Sequence, residues 1–249
     1  MNILGIIPAR YASTRFPGKM LADIAGKTMV QRVYEQAIQA KSLAKVIVAT
    51  DNELIFNHIK DIGGEVVMTH SGHPSGTDRC FEALQQTAGD FDFVVNIQGD
   101  EPFIQPAQID TLAVVLTPET ELATLIKTIG DYRTLADTGE AHVVINTRHE
   151  AIYFSRSVIP FVRGEVPGNW LQKHPFYKHV GLYAYRTDVL AAITKLPVSA
   201  LEQAESLEQL RWIENGYRIQ VAFTDLESVC IETPEDLRRA VEQFKSQHP

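Results

Sequence analysis

Cysteine is scarce in this chain. Cys80 and Cys230 are the only two, with no paired spacing. A disulfide framework is therefore excluded, and a reducing, cytoplasmic setting is expected. Long apolar runs are missing as well: no stretch approaches the ~18 residues of a spanning helix. The N-terminal MNILGIIPAR has a short apolar stretch cut off by Pro8 and Arg10. That differs from a secretory signal, with its basic start, longer apolar core and small-residue cleavage site, so Ile3–Ile7 is expected to be a first buried strand. Basic residues are in deficit, 23 Lys and Arg against 31 Asp and Glu, for a net charge of −8. General nucleic-acid binders carry the opposite balance, so neither a nucleic-acid partner nor a membrane span is expected. Repeats and low-complexity tracts are also absent.

What is present is an ordinary globular composition: 249 residues, 45% hydrophobic and 22% charged. A chain of this size fits one large domain, or one domain with a modest insert, and buries a full core without covalent staples. The acidic balance is uneven. Residues 1–22 contain Arg10, Arg15 and Lys19 and no acid, whereas the remainder holds 20 basic and 31 acidic residues. A basic island on an acidic protein points to a small anionic ligand, or to a solvated loop.

Apolar spacing predicts strands at Ile3–Ile7, Val46–Ala49, Val66–Met68, Phe93–Ile97 and Ala123–Ile126. They alternate with helices at 28–40, Asn52–Ile62, Thr77–Thr87 and Pro106–Leu116. This alternation predicts an α/β fold with a mostly parallel sheet flanked by helices. From about 131 the rhythm changes. Val143–Asn146, Ala151–Ser155 and Lys178–Tyr185 read as strands around a proline-bearing segment, Pro160–Pro175, so residues about 131–190 form a β-rich insert. Helices near 187–195 and 203–214, strands Ile219–Phe223 and Val229–Ile231, and a helix Pro234–Lys245 complete the expectation.

Five segments carry candidate chemistry. The first is PARYASTRFPGK, residues 8–19, directly after the first strand. Ligands of open α/β sheets sit beyond the carboxyl ends of strands. Ala9, Ala12, Ser13 and Gly18 let backbone N–H groups approach an anion, and Arg10, Arg15 and Lys19 supply fixed charge suited to phosphate. Gly26-Lys27-Thr28 imitates a P-loop, but Leu21 stands where its first glycine belongs. The second segment is VVNIQGDEP, 94–102, where an apolar strand runs into Gly99-Asp100. Asp100 either caps the next helix or binds a hard cation such as Mg²⁺, which takes one or two carboxylates plus substrate phosphates. The third is Ile231-Glu232-Thr233-Pro234-Glu235-Asp236. Thr233 and Pro234 start a helix, leaving Glu232 as a possible second carboxylate opposite Asp100.

The fourth segment is KHVGLYAY, 178–185. Period-two alternation puts His179, Gly181, Tyr183 and Tyr185 on one face, which is either solvent-facing or suited to a polyhydroxy substrate. The fifth is ESLEQLRW, 205–212, where Glu205, Glu208, Gln209 and Trp212 share a polar helical face opposite Leu207 and Leu210. Other candidates fall away: His70-Ser-Gly-His73 lacks zinc-site partners, Ser155 is not in a G-x-S-x-G elbow, and Cys80 lies within a predicted helix.

Together, IIPARYASTRFPGK (6–19), VATD (48–51), SGTDR (75–79), VNIQGDEP (95–102), YFSRSVIP (153–160), YKHVGLYAYR (177–186), LEQLR (207–211) and TPEDL (233–237) resemble the 3-deoxy-manno-octulosonate (Kdo) cytidylyltransferases, in family order across almost the whole chain. The resemblance implies a nucleotide-diphospho-sugar transferase fold, and a homodimer built partly on the 131–190 insert, which also serves sugar binding. It implies Mg²⁺-dependent transfer of CMP from CTP to Kdo, with Arg10, Lys19 and Asp100 as the catalytic set. Arg10, Arg15 and Lys19 would hold the triphosphate, and Ser13 belongs to the same nucleotide loop. Ser75, Gly76, Arg79, Ala9 and Gln98 would line the cytosine and ribose pocket. His179, Tyr183, Glu208 and Gln209 would contact the sugar acid, and Asp100 with Glu232 would be the metal carboxylates. Two positions depart from the family pattern: Glu232 replaces an aspartate, and Gly139-Glu140-Ala141-His142 places His142 where lysine is usual. Both leave room for a Kdo analogue such as 8-amino-Kdo, another sugar acid, or a weakened CTP-binding paralogue. A related glycosyltransferase would want a D-x-D motif, which Gly99-Asp100-Glu101-Pro102 does not supply.

Overall fold

The structure is a computed structural model that describes residues 1–12, 15–227 and 229–247, the last with backbone only at 243, 246 and 247. Two compact units emerge, one comprising Met1–Asp110 with the segment from Glu227 onward, the other Thr111–Leu226.

The first unit begins with β1 (Ile3–Ala9), a small hairpin of β2 (Asp23–Ile24) and β3 (Lys27–Thr28), and α1 (Met29–Ala37). It continues through β4 (Lys45–Thr50), α2 (Glu53–Asp61), β5 (Val66–Met68), α3 (Gly76–Gln86), β6 (Phe93–Asn96) and the start of α4 (Pro106–Val114). β1 pairs in parallel with both β4 and β6, and β4 pairs in parallel with β5. The resulting order, β6-β1-β4-β5, is a four-stranded parallel sheet. Its strands are apolar on both faces because helices cover both: Leu4, Ile6, Ile7, Val48 and Val94 are wholly buried. Helix starts follow local chemistry. Thr28, Asn52 and Ser75 each turn a side-chain oxygen back onto a first-turn N–H.

The second unit holds β7 (Leu122–Thr128), α5 (Tyr132–Leu135), β8 (His142–Ile145), β9 (Ala151–Ser155), α6 (Trp170–Lys173), β10 (Tyr177–Arg186), α7 (Thr187–Ile193), α8 (Ala200–Glu205), α9 (Gln209–Glu214) and β11 (Ile219–Phe223). Here the sheet is mixed. β10 runs antiparallel to β7 and β8, β8 antiparallel to β9, and β11 parallel to β7. The expected β-rich segment, 131–190, lies inside this unit. The chain then returns to the first unit as α10 (Pro234–Gln247). There Ile231 and Ala240 join Ile24 and Met29 in a buried cluster.

Two expectations are corrected. Residues 229–231 do not form a strand; Ile231 is held instead by its N–H on the Asp100 carbonyl, 2.9 Å. The helix expected at 203–214 is two helices. A capping box between Ser199 and Glu202 starts α8 early, and Ser206, at φ 53° and ψ 45°, stops it. Arg211 then clamps α9 to α8 through both guanidinium edges on the Glu202 carboxylate, at 2.6 and 2.5 Å. The break also overturns the single polar face read for 205–212. Gln209 and Trp212 are buried beside Leu210, while Glu205 belongs to the other helix. The β2–β3 hairpin and α5 carried no apolar period and were not anticipated.

Candidate active site

A cleft of about 280 Å³ opens in the first unit. Its lining includes Arg10, Arg15, Lys19, Ser75, Gly76, Arg79, Gln98 and Asp100. These come from three places: the segment after β1, the N-terminal end of α3 and the segment after β6. Three features build the cleft from local sequence. Gly18 adopts φ 70° and its N–H meets the Tyr11 carbonyl at 3.2 Å, closing the loop that carries the cations. Gly99 leaves no room for a side chain, since a Cβ there would stand 2.9 Å from the Pro8 carbonyl oxygen; that close approach brings Asp100 against the end of β1. Ser75 caps α3, its Oγ accepting from Asp78 N–H at 3.2 Å and donating to the Asp78 carboxylate at 2.6 Å. The α3 N-terminus thus faces the cleft with an anion-favouring dipole.

Charge in the cleft is internally paired. Lys19 Nζ lies 2.6 Å from Asp100 Oδ2, with side-chain exposures of 12% and 22%. Its ammonium also points at the Ile231 carbonyl, 3.4 Å away. Arg15 grips Glu232 with both guanidinium edges, one of them at 3.1 Å. The bond from Ile231 N–H to the Asp100 carbonyl sets Glu232 next to the Asp100 strand end. Cys230 reports the same acidic neighbourhood: desolvation, with the Asp100 and Glu101 carboxylates, pushes its thiol well up, so it remains a thiol rather than a nucleophile.

Arg79 lines the cleft but is committed elsewhere. Its guanidinium, 4% exposed, donates to Asp51 Oδ2 at 2.8 Å and to the Thr69 hydroxyl. Asp51 Oδ1 in turn accepts from Tyr11 N–H at 3.3 Å, tying the cation loop to the ends of β4 and β5. Ala9 is wholly buried at the end of β1 and does not line the cleft. Ser13 lies outside the described residues. His73, Pro74 and Met20 line the cleft and were not anticipated. His73 is bonded to Glu82 on α3, and a His spaced from a helical Glu was the only signal for it.

Asp100 and Glu232 offer hard oxygen donors, linked by backbone and each facing a cation that a polyphosphate can draw away. That donor set fits Mg²⁺, which keeps waters and shares few carboxylates with substrate phosphates. Among the described residues no cluster of three or more metal-ligating side chains exists, so any metal here would need ligand oxygens to complete its shell.

The residues expected to meet a sugar acid form a second cluster, in the second unit. His179, Tyr183 and Tyr185 do share a face of β10. Tyr183 and Tyr185 stack at 6.1 Å, and both meet Trp212 edge-to-face, at 5.2 and 5.6 Å. This face is packed rather than solvated. Burial lowers His179 to about 4, and burial, then Tyr185 and Glu208, raise the Tyr183 phenol well above its usual value. Gln209 is 5% exposed, and its Nε2 makes no hydrogen bond. His142 is also buried, donating from Nε2 to the Leu135 carbonyl at 2.9 Å. It is an interior group of the unit and not a surface charge.

Known proteins similar to this chain in sequence and architecture are numerous. Residues 4–219 match the family described as Cytidylyltransferase. The chain is 57% identical to the 3-deoxy-manno-octulosonate cytidylyltransferase of Cytophaga hutchinsonii, over 96% of each chain, and 55% identical to that of Bacteroides thetaiotaomicron, over 99% of each. A CMP:2-keto-3-deoxy-manno-octonic acid synthetase solved in complex with CTP superimposes with a TM-score of 0.92 at 40% identity, covering 99% of this chain and 100% of that one.

Proposed function

The chain belongs to the cytidylyltransferase family, and we propose on that basis that it transfers CMP from CTP to the anomeric hydroxyl of 3-deoxy-manno-octulosonate, releasing CMP-Kdo and pyrophosphate. The observation that carries this reading is the cleft itself. Arg10, Arg15 and Lys19 converge with the α3 N-terminus at the carboxyl edge of a parallel sheet, where a triphosphate finds both charge and backbone donors.

The sugar hydroxyl attacks the α-phosphorus in line. Its oxygen forms the new bond as the bond to the bridging oxygen breaks; pyrophosphate leaves with that electron pair, and the hydroxyl proton is released to solvent. No covalent enzyme intermediate is needed, so the chain acts by positioning and by stabilising charge. Arg15 and Lys19 exchange their carboxylate partners for phosphate oxygens when CTP enters, and Arg10, already exposed at the loop, adds a third cation. Ser75, Gly76 and Gln98 border the nucleoside, while Arg79 shapes that wall from its buried pair with Asp51. Asp100 and Glu232 are the residues that would hold Mg²⁺, which when bound supplies charge against the triphosphate. His179, Tyr183, Glu208 and Gln209 receive the sugar acid: a packed aromatic wall with buried polar groups suits a polyhydroxy ligand.

The same reading assigns a homodimer contact to the β-rich segment 131–190, supported by the exposed side chains of Ile152, Phe161 and Val166. It places the protein in the cytoplasm, supported by two free thiols. No helix among the described residues is long and apolar enough to cross a membrane.

The test is pyrophosphate release with CTP and Mg²⁺, comparing Kdo, 8-amino-Kdo, sialic acid and no sugar. Release that depends on Kdo is the expected result. Release only with the amino analogue or sialic acid would reassign the sugar, and none with any sugar despite CTP binding would overturn the reading.

A further inference from the structure

β10 is irregular opposite β7. Val180 pairs with Leu125, yet the next pair is Tyr183 with Thr124, so Gly181 and Leu182 bulge out of register. A bulge disrupts the ladder locally. Two carbonyls of this stretch converge on one side chain: Thr124 Oγ1 lies 2.9 Å from the Leu182 carbonyl and 3.4 Å from that of Val180. The same oxygen lies 2.9 Å from His179 Nε2. Thr124 is wholly buried, so water cannot substitute for any of these partners.

A hydroxyl has one proton and two lone pairs. A carbonyl oxygen only accepts, so the Thr124 proton goes to the nearer carbonyl, that of Leu182. Toward His179, Thr124 Oγ1 is then the acceptor, and Nε2 must carry the hydrogen. The imidazole is neutral in this desolvated setting, so Nδ1 is bare. Among the described residues Nδ1 meets no donor. The ring plane is set edge-to-face on Phe154 at 5.4 Å and tilted over Tyr183 at 5.1 Å, and within that plane a half-turn would put a ring carbon against Thr124 and lose the hydrogen bond.

We propose that Thr124 is a positioning residue for sugar recognition: by accepting from Nε2 while donating into the β10 bulge, it sets His179 as a hydrogen-bond acceptor at Nδ1, which selects a ligand hydroxyl over a ligand anion at that point. This rests on the sugar-site reading above. On that reading Nδ1 is turned to the sugar, where its lone pair repels a carboxylate and attracts an O–H, so the carboxylate of a sugar acid is met elsewhere and a hydroxyl takes this position.

The experiment has two arms. Long-range ¹H–¹⁵N spectra of the ligand-free protein near neutral pH, with His179 assigned by comparison with His179→Gln, are expected to show hydrogen on Nε2 and a bare Nδ1. Hydrogen on Nδ1 would overturn the proposal whatever the substrate. In the kinetic arm, Thr124→Val is expected to raise KM for the sugar acid about ten-fold, the scale of one lost hydrogen bond, with KM for CTP unchanged. Thr124→Ser, which keeps the hydroxyl, is expected to restore sugar KM to near wild type. An unchanged sugar KM in Thr124→Val, or equal impairment in Thr124→Ser, would overturn it. If Thr124→Val does not fold, the spectra and the serine variant decide. Wild-type protein that turns over no sugar acid while showing the Nε2–H tautomer would refute the functional reading and leave the tautomer assignment standing.

Discussion

Asp51 is expected to be among the most damaging single truncations in the first unit, although it touches no ligand. Its carboxylate is 11% exposed and pairs with the Arg79 guanidinium, 4% exposed, at 2.8 Å. In Asp51→Ala the guanidinium keeps only the neutral Thr69 hydroxyl as partner. Leaving a buried charge uncompensated typically costs about 3–5 kcal/mol. For a chain of this length each kcal/mol moves Tm by about 2–4 °C, so a fall of roughly 6–20 °C is expected. The Tyr11 N–H loses an acceptor too, but Tyr11 is exposed and water replaces it. The assay is thermal and denaturant unfolding of wild type, Asp51→Ala, Arg79→Met and the double variant. Removing both charges should recover much of the loss, because the penalty belongs to the orphaned ion and not to the missing contact. A change within about 1 kcal/mol for Asp51→Ala, the range of an exposed pair, would refute the reasoning. So would a double variant no more stable than the sum of the singles. KM for CTP should rise in Asp51→Ala assayed well below its Tm, since Arg79 forms part of the cleft wall.

Asp100→Asn is expected to lower kcat by at least about 100-fold, the scale of one lost preorganised charge; near-wild-type pyrophosphate release would remove Asp100 from the reacting site. Glu232→Asp should change stability by less than about 1 kcal/mol, because the pair with Arg15 is largely exposed. It should keep or raise Mg²⁺-supported turnover, whereas complete loss would mean that the longer side chain is required. His179 is lowered from 6.5 to about 4 by burial, so between those values the unfolded chain takes up a proton that the folded one refuses. Its contribution to stability is full above pH 6.5 and is lost as pH falls toward 4. Unfolding free energy should therefore decline less steeply over that window in His179→Gln, and parallel slopes for the two proteins would contradict the burial.

Much of the first unit was legible because its signals are local. β1, β4, β5 and β6 are short apolar runs bounded by loops, and the helices between them show apolar residues at helical spacing. The cations of residues 10–19 follow a strand end directly, so their placement in a cleft needed only the rule that parallel sheets bind at their carboxyl edge. The break at Ser206 was not legible. It depends on Arg211 reaching back to Glu202 across the turn, a contact between helices that no periodicity encodes. The strand expected at 229–231 failed for a related reason: Val229 and Ile231 look like a strand, but the backbone partner on offer was a single Asp100 carbonyl rather than a strand edge.

By itself, then, the sequence determined the α/β rhythm, the cation loop, the Gly99-Asp100 strand end and the aromatic alternation of β10, because each depends on residues a few positions apart. Only the tertiary structure decided what those groups do with their charges and protons. Lys19 and Asp100, Arg15 and Glu232, and Arg79 and Asp51 are distant in the chain, and each became a pair only through folding. Thr124 was just one more residue of an apolar strand until the β10 bulge set two carbonyls and an imidazole around its hydroxyl. Hydrogen bonds and ion pairs act over about 3 Å, and distances of that size across the chain are set by packing, which no local pattern of residues records.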